Sequence, residues 1–171
     1  MGWVTVALYF FSAIVSFKVA TSAAALFAPE TRVRQKQFWL FMALILFFLG
    51  INKQLDLQSL LTAIGKYYAH RDGWYEHRRA IQVSLIVGIL LSISVVTAWF
   101  LFYTRSVLKS NWLAVLGVSF LLIFIMIRAT SFHHMDILIS TTILGVRMNW
   151  ILELSGIVCI GYSALFSNKK N

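Results

Sequence analysis

The chain has a single cysteine, Cys159, and a single proline, Pro29, among 171 residues. A lone cysteine excludes an intrachain disulfide, so the fold owes nothing to oxidation. Cys159 lies inside an apolar run and reads as a small buried hydrophobe rather than a nucleophile. A lone proline leaves nearly all of the backbone free to be helical. At Pro29 itself the first helix is expected to stop, because proline cannot continue the ladder. Charge is scarce too. Asp, Glu, Lys and Arg together make up 12% of the residues, with only six acids, where a soluble domain carries about a quarter. No HExxH or paired CxxC is present, and Ser131 has no Gly-x-Ser-x-Gly context, so zincin and serine-elbow chemistry lack their signatures. No two similar halves are visible, which argues against a transporter built from inverted repeats.

What is abundant is hydrocarbon. Hydrophobic residues make up 60% of the chain and aromatics 15%, with a mean hydropathy of +0.79. That much apolar surface needs lipid. The net charge of +9 does not point to nucleic acid, which would require a continuous basic face on a soluble module. Here the bases fall in short clusters between apolar runs, where they meet anionic headgroups and help set topology.

The expected architecture is all-α, a polytopic integral membrane bundle in one domain over 1–171. Five spans are read at about 3–27, 37–51, 74–103, 112–127 and 149–166. The first has no basic region before it, so it reads as a retained span rather than a cleaved signal. Lys18 lies inside it and either snorkels to the interface or pairs with a carboxylate within the bundle. Ala20 to Ala25 are small and permit close helix approach. The second span is short for the ~20 residues that a ~30 Å hydrocarbon layer needs, so its helix is expected to run on beyond Ile51.

Two connectors complete the pattern. Over 54–70, Leu57, Leu60, Leu61, Ile64, Tyr67 and Tyr68 form an apolar stripe, with Asp56, Ser59, Lys66 and His70 on the other side. This reads as an amphipathic interfacial helix. Residues 131–146 are too short to span from their polar start and read as an interfacial or re-entrant helix, which is tolerated where protein covers its backbone.

Five spans put both long connectors on one face. Apart from Lys18 within the first span, the 15 Lys and Arg divide equally between the faces, seven and seven, but those of the short-loop face are packed into fewer residues. Short loops dominate orientation, which places that face and the C-terminus in the cytoplasm and the long connectors outside, in the manner of a bacterial inner-membrane protein.

The acids and imidazoles are less evenly spread. Asp56, Asp72, Glu76, Asp136 and Glu153 lie on the long-loop side, as do His70, His77, His133 and His134. Around Arg128-Ala-Thr-Ser-Phe-His-His-Met-Asp136, ionisable groups crowd against a span, and such groups propose a functional site. His133 and Asp136 share a helix face at a spacing of three and, with His134, His77 and His70, are candidate ligands for zinc or copper. Asp56 and Glu153 are the candidate general bases for a metal-bound water. Arg128, Arg78, Arg79 and Arg147 are candidates for gripping the phosphate of a lipid or lipid-linked substrate.

Two other readings stay open. His77 with His133 or His134 suggests axial ligation of a b-type haem. Alternatively, the polar residues hold helices together in a non-catalytic subunit of a membrane complex or oligomer, or line a small transporter or channel path.

Overall fold

The computed structural model describes residues 2–55, 63–64, 67, 78–130, 142–143 and 146–168. At 78–83, 85–86, 128–130, 142–143, 146–149 and 168 it is the backbone that is described. The described residues are helical except at turns and one short ladder. In chain order they form α1 (Gly2–Thr21), α2 (Ala23–Leu26), α3 (Pro29–Leu55), α4 (Arg78–Tyr103), α5 (Arg105–Leu108), α6 (Trp112–Thr130), β1 (Thr142–Ile143), β2 (Val146–Arg147) and α7 (Met148–Asn168). Residues 63, 64 and 67, within the expected amphipathic connector, are helical, and Ile64 and Tyr67 are exposed.

Among the described residues, three helices are long and apolar enough to cross a membrane: Gly2–Thr21, Pro29–Leu55 and Trp150–Ser167. Val87–Tyr103 and Trp112–Ile127 are shorter apolar helical stretches. Pro29 begins α3 instead of merely ending what precedes it. At the first helical position its missing N–H costs nothing and its φ is already set. The second span therefore starts well before the expected Gln37 and also runs on to Leu55, as its short core had suggested. At 27 residues, α3 is about 40 Å long. The first span is interrupted at Ser22, where α1 gives way to the single turn of α2.

The core is built by α1, α3, α6 and α7. On α1 the buried positions include Thr5, Tyr9, Ser12, Ser16 and Val19; on α3 they include Gln35, Phe38, Trp39, Met42 and Leu46. Both sets recur at three- and four-residue steps, the stripe of a helix that packs on one side. A Cβ built at Gly50 meets Tyr9, so α1 and α3 run antiparallel with position 9 level with 50. Gly117 faces Gly156 and Ile160, and Leu121 faces Gly156, which makes α6 and α7 antiparallel as well. Tyr9 meets Glu153 and Ser12 meets Gly161, so α1 and α7 run parallel. The bundle thus has two ends. One collects the start of α1, the end of α3, the end of α6 and the start of α7. α4 is joined to it near its C-terminal end, through the Phe41–Phe100 ring stack at 4.0 Å and the buried Thr97. Leu91, Val95, Trp99 and Phe102 face outward, a surface suited to lipid.

At the other end the chain reverses through α5. The Thr104 hydroxyl donates to the Phe100 carbonyl at 2.8 Å, and the carbonyl of Asn111 receives the Val115 N–H at 3.1 Å as α6 begins. Across the bundle, Val146 and Arg147 pair with Ile143 and Thr142 in a two-residue antiparallel ladder. The helix expected over 131–146 therefore does not extend through its last residues. The pairing gives the backbone groups of 142–143 and 146–147 partners across the ladder.

Ser16 is fully buried and its hydroxyl has no hydrogen-bond partner among the described residues. Ser16→Ala removes a desolvated polar atom and leaves the packing nearly unchanged. It is expected to stabilise the bundle by up to about 1 kcal/mol, read as a higher midpoint in detergent-denaturant titration. A lower midpoint would mean that the hydroxyl is satisfied.

Candidate functional site

Glu153 lies in the second turn of α7, with its residue 2% exposed. An isolated carboxylate at that depth would be strongly disfavoured. Two neighbours hold it. The Lys53 ammonium, from the last turn of α3, donates to Oε2 at 2.9 Å. The Tyr9 hydroxyl, from α1, donates to Oε1 at 3.3 Å. Lys53 also stands 5.9 Å from the centre of the Phe124 ring on α6, at the outer limit for a cation–π contact. Four helices therefore converge on one charge pair.

Access to the pair is one-sided. The side chain of Lys53 is 20% exposed and that of Glu153 2%. The ammonium is the member that reaches toward the surface, and the carboxylate is the member held inside. Such an arrangement can present a cation to an incoming anion and has a base directly behind it.

Of the residues proposed from the sequence, Glu153 is the one whose side chain is described. Arg78 and Arg79 open α4, Arg128 lies in the last turn of α6, and Arg147 immediately precedes α7. Their helix ends lie at the same end of the bundle as Lys53 and Glu153. Asp56, His70, His77, His133, His134 and Asp136 lie outside the described residues. Among the described residues, no group of three or more His, Cys, Asp or Glu could hold a metal ion. The haem pair of His77 with His133 or His134 is outside them too.

Lys18 is exposed in the last turn of α1 and makes no ion pair among the described residues, which favours snorkelling over a buried partnership. The partner that the sequence reading sought for an intramembrane lysine exists for Lys53 instead. In the sequence Lys53 is an ordinary base near a polar connector, and Tyr9 carries no signal. What joins them is depth: Lys53, Glu153 and Tyr9 all lie within about two turns of helix ends that share one end of the bundle.

No protein-family model, no curated protein and no solved structure matches this chain. What the site does is argued from its chemistry.

Proposed function

We propose that this is a five-span membrane protein that acts on a lipid or lipid-linked substrate at the bundle end carrying the two long connectors. The observation that carries the reading is the Lys53–Glu153 pair, a buried carboxylate covered by a more accessible ammonium. Ionisable residues inside a membrane bundle mark functional sites because nothing else offsets their desolvation. In this reading Lys53, with Arg78, Arg79, Arg128 and Arg147 around the same end, attracts the anionic part of the substrate. An incoming phosphate competes for the ammonium and frees Glu153 to accept a proton. α4 and α6 complete the five spans. In this reading His133, Asp136, His134, His77 and His70 are the ligands for zinc or copper, and Asp56 is a second base. The long connectors face outward from a bacterial inner membrane, since the denser basic clusters belong to the other face.

A second reading also has an observation in its favour. Both oxygens of Glu153 are engaged, and their partners come from two other helices. A pair used as helix glue would look the same in a non-catalytic subunit.

Elemental analysis and an absorption spectrum of the purified protein separate the readings. The metal-dependent enzyme should carry zinc or copper in stoichiometric amount, lost on His133→Ala. A Soret band would replace it with the haem protein. Neither signal, with His133→Ala and His134→Ala folding normally, leaves the subunit.

A further inference from the structure

At the opposite end of the bundle lies a cavity of about 520 Å³, within the size range of small-molecule sites. One wall is polar. Gln35 of α3, 3% exposed, lines it together with Ser106, Ser110 and Ser163. Asn111 fixes which way Gln35 is turned. Its amide nitrogen donates both to the Val107 carbonyl at 2.9 Å and to Gln35 Oε1 at 2.8 Å. A backbone carbonyl only accepts, so the Asn111 atom facing it must be the NH₂, and the Gln35 atom facing Asn111 must be its oxygen. The Gln35 amide nitrogen then has no partner among the described residues. It is a free donor on an otherwise buried side chain that lines the cavity. Ser106 on the same wall accepts a hydrogen bond from Arg34 at 2.9 Å.

The potential here is positive. Arg32, Arg34 and Lys36 lie in the first turns of α3, Arg105 opens α5 and Lys109 follows it, against the single acid Glu30. The Nε of Arg32 is itself buried without a partner among the described residues. The other wall is apolar and aromatic. Trp112, Tyr162 and Phe166 line the cavity and are also exposed on the outside of the helices, where the headgroup level of a bilayer would lie. A molecule can therefore enter from the lipid side.

From unpaired donors, clustered cations and an aromatic wall open to lipid, we infer that this cavity binds the headgroup of an anionic phospholipid. Its phosphate meets Gln35 Nε2 and the Arg34–Ser106 pair, and its first methylenes lie along Trp112 and Phe166. The site is separate from the Lys53–Glu153 centre and does not depend on what that centre does. The short-loop face, which the basic clusters place in the cytoplasm, is the one that meets the anionic leaflet.

The test is native mass spectrometry of the full chain released from micelles containing phosphatidylglycerol, phosphatidylcholine or soluble glycerol phosphate. The wild type should retain phosphatidylglycerol in preference to phosphatidylcholine. Gln35→Glu keeps the oxygen that Asn111 needs but replaces the free donor with negative charge. Arg34→Gln removes a cation from an exposed position. Each should weaken phosphatidylglycerol retention by at least about tenfold, the loss of a charge-assisted hydrogen bond, with helicity and melting midpoint kept. Should Gln35→Glu fail to fold, Arg34→Gln decides alone. Retention that Arg34→Gln leaves unchanged, equal retention of the two lipids, or glycerol phosphate binding as tightly as the lipid would each overturn the assignment.

Discussion

Lys53→Met is expected to destabilise the bundle by about 3 kcal/mol, because it leaves the Glu153 carboxylate buried with only the Tyr9 hydroxyl for support. The carboxylate sits inside the helix packing and cannot reach water as the lysine can. Glu153→Leu should cost less, since the freed ammonium can extend along its own stem toward the interface. The double variant Lys53→Met, Glu153→Leu is expected to recover most of the loss, because a buried ion pair replaced by hydrocarbon of similar volume is often neutral or better. Thermal or denaturant midpoints of the three variants in one detergent check this, and a double variant no more stable than Lys53→Met alone would refute it. Recovered stability with no recovery of function would mark the pair as a working site rather than glue.

Gly117→Val should be comparably damaging for a different reason. A Cβ at 117 would lie 2.7 Å from the Gly156 carbonyl oxygen and 2.7 Å from the Ile160 side chain. A Cβ at 156 would lie 2.9 Å from the Gly117 carbonyl and 2.7 Å from Leu121. These helices touch through backbone, and backbone cannot rotate aside. Overpacking of this kind costs about 1–3 kcal/mol, and a branched residue belongs at the top of that range. Gly161→Ala should be milder, since the atom it meets most closely is the Ser12 hydroxyl, 2.6 Å away, on a side chain that can turn. Gly88→Ala on α4 meets nothing within 4 Å among the described residues and should change stability by no more than about 0.5 kcal/mol. Melting midpoints that fail to follow this order would mean that α6 and α7 do not meet at Gly117 and Gly156.

The helices were legible because lipid imposes one solution. An apolar run of spanning length must close its hydrogen bonds internally, and a helix does so. The start of α6 at Trp112 and the limits of α7 were legible from hydropathy to within two residues. Pro29 misled, because proline both stops one helix and starts another, and only context decides. The short turns α2 and α5 were not foreseen, since four residues carry too little periodicity to be seen. The site was legible in part. Glu153 was flagged because an acid within an apolar run has few explanations. Its partner was not, because Lys53 is 100 residues away and stands at a helix end where a base is ordinary. Gln35 and Asn111 gave no signal at all. Each is a common polar residue at a loop, and only the fold puts them against one cavity.

The distance between Lys53 and Glu153 along the chain has a consequence for how the protein is made. At about 5–20 residues per second, the ribosome adds the 100 residues that separate them in roughly 5–20 s. During that interval α1 and α3 can already associate, while Lys53 has yet to meet the carboxylate that will receive it. A nascent chain arrested before α7 emerges would hold that ammonium out at the bilayer surface along its own stem, and only the arrival of α7 would draw it inward.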